Sequence, residues 1–107
     1  MLFRSKTADI VAALTGEALH AICKAYDPKV HDIRGQKGQI TEAANMRDLL
    51  DGSENAKWLH ERKVQDPYSQ RCIPQIHGTS RDAIGYVYEK VSIETTQIGR
   101  ASCRERV

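Results

Sequence analysis

The chain has 107 residues, 40% of them apolar and 6% aromatic, with 16 basic and 14 acidic side chains for a formal net charge of +2. That is enough apolar material for one modest core, but no apolar run approaches bilayer length and no signal-peptide pattern opens the sequence, so the cytoplasm is the expected compartment and no membrane partner is expected. Three cysteines, Cys23, Cys72 and Cys103, show no CxxC or Cys/His ligand spacing, which argues against a disulfide framework and a zinc site.

Taken in order, the first residues do not read as biological. The triplets CTC TTC CGA TCT encode Leu2 to Ser5; their reverse complement, in a shifted frame, ends the Gln97 codon and then reads ATC GGA AGA for Ile98 to Arg100. One sequencing adapter thus accounts for both termini. The expected native insert is 6–97, and 1–5 and 98–107 are set aside as one sets aside an expression scar. Removing Arg4, Arg100, Arg104 and Arg106 from the 16 basic residues leaves 12, and removing Glu105 from the 14 acidic ones leaves 13. The insert is nearly neutral, and nucleic-acid binding loses its support.

From Asp9 to Ala25 the residues Val11, Leu14, Ala18, Ile22 and Ala25 recur at three- and four-residue steps, which predicts a helix with these on one face. Asp27-Pro28 should end it, because the residue before proline is pushed out of the α region. Gly16 costs about 1 kcal/mol relative to alanine there, so either another element packs closely against it or the helix is locally weak. Residues 30–39, with Gly35 and Gly38, read as a loop leading to a second helix from Ile40 to Asp51, with Gly52 at its C′ position. Ser53 to Val64 reads as an exposed connection in which Trp58 and Leu59 are the only large apolar groups among Lys57, His60, Glu61, Arg62 and Lys63. After a non-helical stretch, Pro74 should prevent an uninterrupted helix, with Thr79 or Ser80 capping a new one. Ile84, Val87, Tyr88 and Val91 then follow at helical spacing and continue toward Ile93. The predicted class is all-α, three main helices joined by loops.

Gln65, Tyr68 and Arg71 lie three residues apart, so in a tight turn their side chains project on the same side. Arg71 offers a planar fork for a carboxylate, Tyr68 a phenol that a nearby cation and partial burial would make a better base, and Gln65 a neutral donor and acceptor. On spacing alone the same residues also read as structure: Tyr68 packs, Arg71 pairs with a carboxylate such as Asp66, and Gln65 caps a backbone group. His20, His31, His60 and His77 have no partner at metal or triad spacing, and no metal is expected; Tyr86 and Tyr88 read as helix-face groups.

The pattern Q-[DA]-x-Y-S-x-R-C-x-P-Q, met at Gln65, Asp66, Tyr68, Ser69, Arg71, Cys72, Pro74 and Gln75, resembles the aromatic amino acid lyase family. The likeness extends through His77, Gly78, Asp82 and Ala83, and upstream to ALTGEAL, YDPKVHDIRGQKGQITEAANMRDLL and DGSE. It implies a helical fragment of an ammonia-lyase, most similar to the members that convert histidine to urocanate. Phenylalanine- or tyrosine-acting lyases and the related aminomutases are the alternative within the family, and a non-enzymatic helical interaction module the alternative outside it. By the same resemblance Arg71 binds the substrate carboxylate, Tyr68 is catalytic in proton transfer, Gln65 lies in the same pocket, and the parent enzyme is a homotetramer. Its prosthetic group is a methylidene-imidazolone made from an internal Ala-Ser-Gly, a tripeptide this chain does not contain; Ala101-Ser102-Cys103 shares only its start. Gln70 stands where an aliphatic residue is usual, RGQKGQ replaces RPHPGQ, and Thr96 falls where asparagine is expected.

Overall fold

The computed structural model describes the backbone of residues 2–59 and 63–106 and the side chains of 3–59 and 63–97; His60, Glu61 and Arg62 of the predicted connection lie outside the described residues. Among the described residues are α1 (Leu2–Ala18), α2 (Pro28–Arg34), α3 (Lys37–Leu50), α4 (Tyr68–Arg71) and α5 (Ile73–Arg106), with a 3₁₀ turn at Cys23–Tyr26. The only extended pairing among them is a single bridge between Ile22 and Lys57. The all-α class is borne out, but five helices replace the three predicted.

The helix expected over Asp9–Ala25 stops at Ala18, where the chain reverses. The His20 and Ala21 amides donate to the Glu17 and Gly16 carbonyls at 3.2 and 2.8 Å, and His20 takes the left-handed conformation (φ 56°). This is a Schellman closure with histidine at the position glycine usually fills. Tertiary partners outbid continued helix here. The Cys23 amide donates to the Lys57 carbonyl at 2.7 Å, the Lys57 amide to the Ala21 carbonyl at 3.1 Å, and the Ile22 amide to the Asp66 carboxylate at 2.7 Å. The inward face of α1 is also rotated from the predicted one: Val11 and Leu14 are exposed, whereas Asp9, Ala13 and Gly16 are buried. Of the two readings of Gly16, close packing is the observed one, since a Cβ there would come within 2.8 Å of the Gln70 amide nitrogen.

Asp27-Pro28 separates the 3₁₀ turn from a helix the loop reading missed. The Asp27 carboxylate accepts from the Lys29 amide at 3.1 Å and Pro28 takes the first helical position, so α2 begins there. Gly35 (φ 69°) closes α2, and α3 follows from Lys37, three residues earlier than predicted. Gly52 (φ 77°) stands just past the α3 C-cap Asp51, as expected.

Tyr26, Met46, Leu50, Ala13, Ala21, Ala56 and Ile73 form the core. Its largest member, Tyr26, is 1% exposed and donates its hydroxyl to the Gln70 carbonyl at 3.0 Å. A second, polar layer ties α1, α3 and α5. His77 Nδ1 meets Asp9 at 2.7 Å, Asn45 donates to the other Asp9 oxygen at 2.7 Å, and Arg81 donates to Glu42 at 2.7 Å. Pro74 falls in the first turn of α5, where a missing amide costs nothing, so the helix runs on through Thr79, whose hydroxyl bonds the Gln75 carbonyl at 2.6 Å. The predicted cap at Thr79 or Ser80 does not exist. Ile84, Val87, Tyr88 and Val91 are helical as predicted but exposed, because α3 covers only the first turns of α5.

Candidate functional site

Tyr68–Arg71 is one helical turn between two prolines, not the irregular stretch the sequence suggested. The Pro67 carbonyl accepts from the Gln70 and Arg71 amides at 3.0 and 3.1 Å, starting the turn; the Cys72 amide closes it on the Tyr68 carbonyl at 2.9 Å. One turn puts residues three apart on one side. The Arg71 guanidinium accordingly stands 5.8 Å from the Tyr68 ring centroid, within reach of a cation–π contact.

Arg71 is steered by Asp66, but not as an ion pair. Its Nε donates to the Asp66 backbone carbonyl at 2.9 Å, while the buried Asp66 carboxylate accepts from the Ile22 amide and, at 3.0 Å, from Lys63. Lys63 also reaches the Leu19 and His20 carbonyls. Among the described residues, no protein group bonds the two terminal nitrogens of Arg71. Among those residues they form an unbonded planar pair.

Gln65 and Arg71 line one depression of about 200 Å³, together with Ile22, Lys24, Ala25, Leu59, Val64 and Asp66. Lys24 adds a second cation to a wall otherwise largely apolar. Tyr68 stands outside this lining and is 70% exposed, so the partial burial expected of it is absent. Gln65 and Arg71 therefore share one depression, and Tyr68 flanks the guanidinium from outside it.

Two features of this region escaped the sequence reading. Gln70 does not face the depression; it is buried, with its amide nitrogen 3.4 Å from both the Ala12 carbonyl and the Tyr26 hydroxyl. Asp66, which spacing offers as a partner for Arg71, instead fixes the turn before Cys23. Neither role has a local signal, because each partner lies more than forty residues away in sequence.

The aromatic amino acid lyase family model matches residues 4–98. The chain is 50% identical over 94 residues to histidine ammonia-lyase 1 of Fusobacterium nucleatum, covering 88% of this chain and 18% of that protein. It is 53% identical over 90 residues to the histidine ammonia-lyase of Alkaliphilus oremlandii (84% and 18% coverage) and 50% identical over 93 residues to that of Clostridium tetani (87% and 18%). The chain thus spans 18% of the length of the curated relatives it matches. No solved structure matches it.

Proposed function

This chain belongs to the aromatic amino acid lyase family, and we propose that it is the segment of a histidine ammonia-lyase that grips the amino-acid substrate. The observation that carries this reading is the pair of Arg71 terminal nitrogens, unbonded among the described residues, beside Gln65 in one depression. A carboxylate seats on such a fork through two parallel charge-assisted bonds, which fixes its plane as well as its position. Gln65 would orient the rest of the ligand, and Lys24 would add long-range attraction for the anion.

In this reading Tyr68 moves the proton. Its ring stands 5.8 Å from the guanidinium at the edge of the depression, and a substrate whose carboxylate is held by Arg71 would have to turn its β-carbon toward that edge. Elimination then requires removal of a β-proton and departure of the amine as ammonia; a positioned phenolic base is worth about 10²–10⁴-fold in such a step. The family's methylidene-imidazolone supplies an electrophile for the amine. Its Ala-Ser-Gly precursor is absent from these residues, so they do not fit formation of that group, and the isolated chain should produce no urocanate.

The parent would be a cytoplasmic homotetramer, and the exposed apolar stripe of α5 is consistent with burial against segments outside this chain. No described helix is long and apolar enough to cross a membrane. The decisive experiment grafts residues 6–97 into the matching stretch of the Alkaliphilus enzyme and follows urocanate by absorbance. Turnover of histidine supports the reading. A soluble chimera that turns over only phenylalanine or tyrosine would replace it with the alternative specificity, and one inactive on all three would refute it.

A further inference from the structure

We propose that Asp9, Glu42 and His77 form a site for one divalent cation of the zinc class, built between α1, α3 and α5. None of the three lines the Gln65–Arg71 depression. One carboxylate oxygen each from Asp9 and Glu42 and one ring nitrogen of His77 all lie within 4.8 Å of one another. Ligands of tetrahedral zinc are roughly 3.3–3.6 Å apart at bond lengths of 2.0–2.2 Å, so closing on an ion needs shifts of about an ångström, within side-chain reach.

A second observation points to a missing ligand. Glu42 is 0% exposed, and its Oε2 is buried without any hydrogen-bond donor from the described residues. An orphaned buried carboxylate oxygen costs several kcal/mol unless something positive reaches it. His77 Nδ1 faces Asp9 at 2.7 Å.

The outer contacts are already in place, since Asn45 holds one Asp9 oxygen and Arg81 holds Glu42 Oε1, the kind of support that orients ligands in metal sites. The His77 side chain is 27% exposed, so solvent reaches the ring and would supply the fourth ligand. One imidazole with two carboxylates suits zinc or cobalt rather than magnesium, which keeps an octahedral shell of oxygens. With the Arg81 cation next to it, the site gives up some affinity to charge repulsion.

The test is calorimetric titration of the full 107-residue chain with Zn²⁺ in chelator-free buffer, paralleled by visible absorption with Co²⁺. One equivalent should bind, with cobalt bands of a nitrogen–oxygen site. Glu42→Gln keeps an acceptor for Arg81 and an N–H for Asp9 and should weaken binding about tenfold or more; His77→Gln should do the same and abolish the cobalt bands. Absence of zinc binding by the unaltered chain overturns the proposal. So does equal binding by both variants, which would put the ion on other side chains. If Glu42→Gln loses helicity by circular dichroism, the partly exposed His77→Gln decides the matter alone.

Discussion

Gly38 and Gly78 meet backbone to backbone where α3 crosses α5. A Cβ on Gly78 would lie 2.5 Å from the Gln39 amide nitrogen, and one on Gly38 would overlap the Gly78 carbonyl. The Gly38 amide instead donates to the Asp82 carboxylate at 3.1 Å, so the crossing also caps α3. Gly78→Ala must push the helices apart and should cost about 1–3 kcal/mol. Gly85, with nothing within 4 Å of its Cβ position, is the control; Gly85→Ala should gain up to about 1 kcal/mol from helix propensity. Equal melting temperatures for the two variants would contradict the crossing.

Tyr26 should make the fold sensitive to alkali. Burial, partly offset by its hydrogen bond with Gln70, pushes the phenol up to about 12 from an ordinary 10.0. The folded state therefore holds this proton more tightly than the unfolded chain. The contribution is complete below the unfolded value and is lost as pH rises from about 10 toward 12. Urea midpoints at pH 8 and pH 11 should diverge for the unaltered chain. Tyr26→Phe should show a smaller divergence and cost about 1 kcal/mol at neutral pH through the lost bond to the Gln70 carbonyl.

Asp66 tests whether a buried acceptor governs the turn after α1. Asp66→Ala strands the Ile22 amide and removes the anchor of Lys63, for about 1–3 kcal/mol. Asp66→Asn keeps an acceptor for the amide and should cost clearly less. Thermal melts that rank the two variants the other way would show that the carboxylate is not what holds the turn.

In the grafted enzyme Arg71 and Tyr68 should fail differently. Arg71→Lys retains charge but not the two-pronged grip; it should raise KM for histidine about 10-fold or more with a smaller effect on kcat. Tyr68→Phe should lower kcat by about 10²-fold or more and leave KM near its starting value. Steady-state urocanate kinetics separate the two. A Tyr68→Phe variant with full kcat would remove the phenol from proton transfer.

How much of this was legible depended on whether a residue's partner was near it in sequence. Gly52 past α3 and the helical phase of Ile84, Val87, Tyr88 and Val91 were readable, because each obeys a local rule. The Gln65–Tyr68–Arg71 spacing places Arg71 near the Tyr68 ring and in one depression with Gln65, but leaves Tyr68 outside that depression. What failed was burial. Val11 and Leu14 have inward periodicity yet face solvent, while Asp9, Glu42 and Gln70 are polar yet buried. Their hydrogen-bond partners are 36 to 68 positions away, and no single-helix pattern registers that. The break after Ala18 was missed for the same reason, since Lys57 and Asp66 impose it from far along the chain. The Asp27-Pro28 pair carried a start signal as well as a stop, and only the stop was read.

The double duty of Asp66 has a consequence for ligand recognition. Its side chain grips the amide of Ile22 while its own carbonyl steers Nε of Arg71, so the guanidinium takes its bearing from a strand of chain next to the reversal at His20. A change at Leu19 or His20, neither of which lines the depression, should swing the fork, so the proposed carboxylate affinity would alter with every lining residue unchanged.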